Sequence, residues 1–158
     1  MANISVKAAE VHLERGRQFA EDGNLRGALM EIEQAINLDP RNPDSYILLA
    51  EIYLNTGDYE KAIKNAQNAL TYMPENIKAW IILGNIYDEM GEYDKALDQL
   101  KYAMQYDKEN PDILYLMGYI YAEKEEFKRA KEFMEKALEI DPENEDILRD
   151  LETINEQL

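Results

Sequence analysis

The sequence contains no cysteine, and histidine and tryptophan occur once each. Without cysteine the chain has no disulfide, no thiolate metal ligand and no cysteine nucleophile. One histidine, His12, does not supply a catalytic triad and is better explained by packing. No apolar run approaches the roughly 20 residues that cross a bilayer, and the N-terminus lacks the apolar region of a secretory signal. We therefore expect a soluble, cytoplasmic protein that is not an enzyme and binds no cofactor or metal.

Positive charge is also scarce. The chain has 17 lysines and arginines against 33 aspartates and glutamates, a formal net charge of −16. Nucleic acids are bound by neutralising phosphates with lysine and arginine, so a nucleic-acid partner is not expected. An anionic membrane surface would repel the chain, whereas basic segments of other proteins would be attracted. The alternative is that the acidic residues serve only solubility.

A short pattern recurs with a fixed period. The sequences GNLRGA, GDYEKA, GEYDKA and EEFKRA begin at residues 23, 57, 91 and 125, so they are 34 residues apart. A period of this length predicts stacked supersecondary units, each unable to bury its apolar face alone. We expect one repeat domain over 1–158, with a leader (1–8), a C-terminal capping helix (145–158) and four repeats between them, numbered 1 to 4: 9–42, 43–76, 77–110 and 111–144.

Each repeat contains two helical patterns. In repeat 3, Trp80, Leu83 and Tyr87 have the spacing of one helix face, and Leu100 and Ala103 continue the pattern in a second helix. Three repeats have glycine where the first helix ends, because glycine takes the left-handed conformation at little cost: Gly23, Gly57 and Gly91. Glu125 stands there in repeat 4, which predicts a looser turn.

Other residues mark the remaining helix boundaries. Proline follows the second helix in three repeats, at Pro40, Pro74 and Pro142, with Lys108 as the exception. Asparagine precedes each following helix, where its side chain can cap free backbone N–H groups: Asn42, Asn76, Asn110 and Asn144.

Small residues recur beside large ones, as close helix packing requires. In repeat 3 the pattern consists of Trp80, Leu83, Gly84, Tyr87, Gly91, Ala96 and Ala103, and in repeat 2 of Leu49, Ala50, Tyr53, Gly57, Ala62, Ala69 and Pro74. This pattern resembles the tetratricopeptide repeat (TPR) family. The resemblance implies an all-α, right-handed superhelical array of antiparallel helix pairs, a solenoid. It also implies an adaptor or scaffold that binds proteins in a concave groove lined by the first helices.

In related arrays the groove is lined by fixed positions of the first helix. The fifth and sixth positions here form an apolar stripe that includes Leu13, Ile47, Leu48, Ile81, Ile82 and Tyr115. The surrounding rim is mostly acidic and includes Arg17, Asp44, Glu51, Lys78, Asn85, Asp88, Glu89, Asp112 and Tyr119. The alternative for Leu48 and Ile82 is packing between neighbouring first helices. We expect Ile47, Ile81 and Tyr115 to be the more exposed members.

The positions that form a carboxylate clamp in chaperone-binding relatives do not match. The corresponding residues are Leu13, Arg17, Leu48, Lys78 and Ile82, of which only Lys78 fits. The partner is therefore expected to be a basic or amphipathic protein segment rather than an acidic chaperone tail. A calcium loop beginning at Asp141 is disfavoured because Asp146 stands where a glycine is required. The alternative function is self-assembly, in which the chain forms homo-oligomers through its terminal repeats.

Overall fold

The computed structural model describes residues 2–158, and side-chain environments from residue 4 onward. Over that range the chain forms nine α-helices and no strand. The helices are α1 (Ala2–Glu21), α2 (Leu25–Leu38), α3 (Pro43–Asn55), α4 (Tyr59–Tyr72), α5 (Ile77–Glu89), α6 (Tyr93–Tyr106), α7 (Pro111–Glu123), α8 (Phe127–Ile140) and α9 (Glu145–Asn155). Two helices per repeat and a final helix confirm the all-α prediction.

The chain divides into two compact units. The N-terminal unit ends at Ile82 and the C-terminal unit is Leu83–Leu158, so the division falls within α5. In the N-terminal unit, α1 packs on α2, α3 packs on α4, and α1 also contacts α3. In the C-terminal unit, α7 packs on α8 and α8 on α9. A single continuous repeat domain over 1–158 stays a prediction.

The turn inside each repeat has the same backbone geometry, including the one that lacks glycine. Gly57 has φ +76° and Glu125 has φ +60°. In repeat 2 the N–H of Gly57 donates to the carbonyl of Leu54, and in repeat 4 the N–H of Glu125 donates to that of Ala122 at 2.8 Å. The predicted loosening at Glu125 is therefore wrong: the turn closes with the same hydrogen bonds, and a non-glycine residue adopts the left-handed conformation to allow it.

The first helices begin as predicted from their caps. The Asn42 side chain accepts a hydrogen bond from the N–H of Asp44, and Asn110 does the same for Asp112. Asn76 and Asn144 cap α5 and α9 in the same way. α6 ends at Tyr106 although Lys108 replaces the proline, so the proline is not needed to end this helix.

Small residues let the helices of a pair approach closely. A Cβ atom on Gly118 of α7 would lie 2.7 Å from Cγ of Met134 on α8, and one on Gly16 of α1 would lie 2.8 Å from Cγ1 of Ile32 on α2. Real Cβ atoms do not pack so tightly, so either addition would require the facing side chain or the helix itself to shift. Beside Gly16 lies a buried cluster in the N-terminal unit: Leu13, Ala28, Ile32, Ala35, Leu48 and Ile52.

Helices extend close to both chain ends, and the apolar side chains of the last helix differ in burial. α1 starts at Ala2, so the described part of the expected leader continues the first helix. At the other end, α9 buries Ile147, Leu151 and Ile154. Leu148, the next residue after Ile147, is 44% exposed because it lies about 100° further round α9, at the edge of the buried face.

Candidate functional site

The apolar stripe expected along the first helices is largely covered in the N-terminal unit. Ile47 is 3% exposed and Leu13 is 8% exposed. The expectation that Ile47 is accessible is therefore wrong, because the packed helices bury this side chain. Leu48 and Ile82, each 4% exposed, are buried as the packing alternative predicted. Ile81 is partly buried.

Charges on the rim of the N-terminal unit are largely paired with one another. The Lys78 ammonium lies 2.7 Å from Glu51, and Arg17 lies 3.8 Å from Glu14. Asp44 is exposed in the first turn of α3, where the helix dipole favours a carboxylate. The pair involving Lys78 also removes the one cation that matched the carboxylate clamp.

The C-terminal unit presents a different surface. Side chains from three helices form what we call the tyrosine–acid patch: Asp88 of α5, Tyr115, Tyr119 and Glu123 of α7, and Asp150 of α9. Tyr119 is 39% exposed and Tyr115 is partly buried. Residues four apart on α7 share a face, which places the two tyrosines and Glu123 in a row. The patch thus combines aromatic surface with carboxylates.

Asp88 is the most perturbed carboxyl group of the patch. Burial raises its pKa from 3.8 to about 6, and repulsion from Glu123 and Glu89 adds to the effect. Both causes act against the charged form, so near neutral pH the fold holds a carboxylate that a nearby cation would stabilise.

The tyrosines report the same environment. The Tyr115 hydroxyl donates to Oδ2 of Asp150 at 2.7 Å. Burial, then this hydrogen bond, raises the pKa of Tyr115 to about 12. The pKa of Tyr119 is raised by burial and then by Glu123 and Asp88. Both hydroxyls stay protonated and can donate hydrogen bonds.

The patch is acidic but carries one cation at its edge. Arg149 of α9 lies 2.8 Å from Asp146 and 3.6 Å from Asp150. Of the other residues predicted for the groove, Asn85 is partly buried, and Glu89 and Asp112 are exposed. The structure therefore brings together Asp88, Tyr115 and Tyr119 from the predicted set.

Sequence reasoning missed Asp150 as part of this surface. The signal was present, because the tail continues the register of a first helix and Asp150 occupies its sixth position. A capping role for residues 145–158 does not by itself predict that Asp150 contacts Tyr115. Asp88 was predicted only as one acidic residue among many; its raised pKa depends first on burial and then on Glu123 of another helix.

Across residues 2–158, no three histidine, cysteine, aspartate or glutamate side chains are grouped so that they could hold a metal ion. His12, at the fourth position of repeat 1, lies with Nδ1 2.7 Å from Oε2 of Glu31. Within the same described range, every helix is too short or too polar to traverse a membrane.

The helix pairs of this chain match the model of a known protein family. The family model of the tetratricopeptide repeat protein 21 C-terminal ARM domain matches residues 26–152. The chain belongs to this family. This TPR-type assignment agrees with the repeats found in the sequence. No curated protein sequence matches the chain.

Solved structures share the TPR fold at low sequence identity. PilF of Pseudomonas aeruginosa is 20% identical with a TM-score of 0.87, over 95% of this chain and 68% of that one. MamA of Desulfovibrio magneticus RS-1 is 22% identical with a TM-score of 0.79, over 94% and 84%. YrrB, described as a TPR protein with an unusual peptide-binding site, is 24% identical with a TM-score of 0.74, over 90% and 73%. At these identities the likeness concerns the fold.

Proposed function

We propose that this chain is a non-enzymatic adaptor that binds a segment of another protein on the first-helix face of its TPR-type repeats. The C-terminal unit supplies the main contact through the tyrosine–acid patch. The partner segment carries apolar or aromatic anchors interspersed with lysine or arginine. The observation that carries the proposal is the environment of Asp88, a partly buried carboxylate repelled by Glu123 and Glu89.

Clustered carboxylates in a partly desolvated site repel one another, and a lysine or arginine placed among them relieves the repulsion and forms charge-assisted hydrogen bonds. Tyr115 and Tyr119 add large rings with polar tips, a combination favoured at protein interfaces. An acidic segment would bring further negative charge to the same surface and should bind poorly.

Relatives of the same fold support this class of function by analogy. YrrB is described as having a peptide-binding site, and Cut9 is described in a hetero-tetramer with Hcn1. Because a fold does not determine its ligand, the choice of partner chemistry depends on the patch itself.

The test compares binding of two synthetic peptides of equal length and apolar content, one with lysines and one with glutamates between tryptophan and leucine anchors. We expect the basic peptide to bind and the acidic one to bind at least about tenfold more weakly. In the double variant Asp88→Asn, Glu123→Gln the basic peptide should lose most of its affinity. The matched control Glu33→Gln, Glu132→Gln removes the same charge from exposed sites on α2 and α8 and should bind as the native chain does. If both double variants lost the same affinity for the basic peptide, binding would depend on net charge alone and not on the patch.

A second candidate function is self-assembly through the chain ends, and one observation favours it. Val11 on α1 is 51% exposed, whereas the residues at the same repeat position, Ser45, Ala79 and Ile113, are fully buried. Ile4, two turns earlier on α1, is 75% exposed. The face that later repeats bury is therefore open on α1, and a second copy could cover it.

Static light scattering over a concentration series separates the two candidates. A mass that rises with concentration in the native chain, and stays monomeric in Val11→Glu, would support assembly through α1. A constant monomeric mass would remove this candidate and leave the adaptor function unaffected.

A further inference from the structure

A pocket of about 470 Å³ opens beside Leu114 in the C-terminal unit, between α6, α7 and α8. Its floor is apolar and its rim carries two lysines; the residues used below are Met104, Lys108, Leu114, Phe133, Lys136 and Ile140. Leu114 is 4% exposed and Ile140 is 44% exposed, so the pocket has a buried floor and an open side. Its volume lies within the range of about 300–1,000 Å³ typical of ligand pockets.

The other repeats explain why the pocket exists. Leu114 is the fourth residue of repeat 4, and in repeats 2 and 3 this position holds Tyr46 and Trp80. The Tyr46 hydroxyl donates to the carbonyl of Pro40 at 2.9 Å. The Trp80 ring N–H donates to the carbonyl of Pro74 at 2.8 Å. In both repeats an aromatic ring is thus held by a backbone carbonyl six residues earlier.

Repeat 4 lacks the ring but keeps a backbone carbonyl at the same place in the repeat. The residue six before Leu114 is Lys108, which retains the backbone carbonyl. In repeat 2 the Tyr46 ring stacks on Tyr72, with centroids 5.6 Å apart. The residue related to Tyr72 by the repeat is Ile140, which lines the pocket. Aliphatic side chains therefore replace two stacked rings.

Repeat 1 gives an independent check on this equivalence. Its fourth residue, His12, contacts Glu31 on the second helix. The residue related to Glu31 by the repeat is Phe133, which also lines the pocket beside Leu114. The fourth position of the first helix therefore faces the same place on the second helix in repeats 1 and 4.

The charges around the pocket favour a neutral ring. Lys108 and Lys136 are balanced at the rim by Glu109 and Glu139, so the rim has no net formal charge in a chain of −16. The Lys136 ammonium already lies 5.3 Å from the centroid of the Phe133 ring. Phe133 also stacks on Tyr121, with ring centroids 5.4 Å apart. A further ring in the pocket would gain a cation–π attraction to Lys136 and an aromatic neighbour in Phe133.

We infer that the Leu114 pocket binds a tryptophan or tyrosine side chain of a partner protein, which takes the place held by Tyr46 and Trp80 in their own repeats. The ring packs on Leu114, Phe133 and Ile140, and its N–H or O–H donates to the carbonyl of Lys108. This site lies on different residues from the tyrosine–acid patch and does not depend on the function proposed for that patch.

The test uses a neutral indole probe, N-acetyl-tryptophanamide, titrated into isotope-labelled full-length protein and followed by NMR. We expect saturable shift changes centred on Leu114, Phe133 and Ile140. N-acetyl-leucinamide, which has no ring and no ring donor, should bind at least about tenfold more weakly. Absence of shifts at these residues, or equal binding of the two probes, would overturn the inference.

Two variants make the test specific. Leu114→Trp supplies the ring from within the chain, so it should abolish probe binding and raise the melting temperature. Leu148→Trp is the matched control, because it adds a tryptophan at the fourth position of α9, on an exposed site outside the pocket. It should bind the probe as the native chain does. If Leu114→Trp does not fold, Ile140→Glu at the exposed side of the pocket replaces it and should weaken probe binding. A folded pocket variant that bound the probe with native affinity would contradict the inference.

Discussion

At the scale of single residues, Glu125 shows how the repeat constrains the backbone more strongly than the side chain that occupies it. Its φ of +60° is close to the +71° of Gly91 at the equivalent position. A residue with a Cβ atom is strained in this region, at a cost on the order of 1 kcal/mol or more. The hydrogen bonds of the turn are nevertheless formed. The packing of α7 on α8, which the turn allows, offsets the backbone strain.

Replacing Glu125 with glycine should therefore stabilise the protein by about 1 kcal/mol, because glycine adopts this conformation without the steric cost. The measurement is urea unfolding followed by circular dichroism. Glu125→Ala is the control for charge: it removes the carboxylate and keeps the Cβ atom, so its stability should stay near that of the native chain. A gain of equal size in both variants would assign the effect to charge repulsion instead of backbone strain.

Asp88 gives a pH dependence with a definite sign. Its pKa in the folded state, about 6, lies above its ordinary value of 3.8, so the folded state favours the protonated form. The stability contributed by this proton is present below about pH 4 and is lost as the pH rises through about 6.

Asp88→Asn should accordingly be more stable than the native chain at about pH 7.5, by about 1 kcal/mol after allowance for solvent screening. The difference should disappear at about pH 4, where Asp88 carries its proton. Thermal melts of both proteins across this range provide the measurement. Glu132→Gln, at an exposed site on α8, is the control. A difference between Asp88→Asn and the native chain that did not change with pH would exclude titration of Asp88 as the cause.

At the scale of helices, α9 completes the C-terminal unit by covering α8. It buries Ile147, Leu151 and Ile154. Two polar contacts fix its position: the hydroxyl of Tyr115 donates to Asp150, and Lys131 donates to Asn155 at 2.7 Å. A terminal helix of this kind protects the apolar face that a stacked repeat would otherwise expose.

Deleting residues 145–158 should lower the free energy of unfolding by about 2–4 kcal/mol, through lost burial of the three apolar side chains. A matched pair of point variants locates the effect. Ile147→Ala should cost about 2–4 kcal/mol because it leaves a cavity, whereas Leu148→Ala at its exposed site should cost less than about 1 kcal/mol. Chemical denaturation measures all three. Similar costs for the two alanine variants would contradict the orientation of α9.

The helices were predictable because their signals are local. The apolar spacing, the glycine positions and caps such as Asn42 and Asn110 depend on neighbours within a few residues, and the structure confirms them. The burial of Ile47 was not predictable, since it depends on how other helices pack around α3. The tyrosine–acid patch was missed as a unit for the same reason: Asp88, Glu123 and Asp150 come from three helices and meet only after these have packed.

At the scale of the whole molecule, the charge of −16 acts together with the patch. In the N-terminal unit Glu51 is neutralised by Lys78, so net charge alone does not describe the first-helix surface. At the tyrosine–acid patch, the pKa of Asp88 is instead raised by burial and by repulsion from Glu123 and Glu89. We therefore expect the C-terminal unit to direct the encounter with a basic partner.

The central claim is that a basic, amphipathic segment binds at this patch, and the most direct measurement is its association rate as a function of salt. For the lysine-bearing peptide, the rate should fall steeply between about 50 and about 500 mM salt, with a much smaller change in the dissociation rate, because screening shortens the reach of surface charge. The dependence should flatten in Asp88→Asn, Glu123→Gln and persist in Glu33→Gln, Glu132→Gln. An association rate that did not change with salt would contradict the account. So would a salt dependence that flattened equally in both double variants.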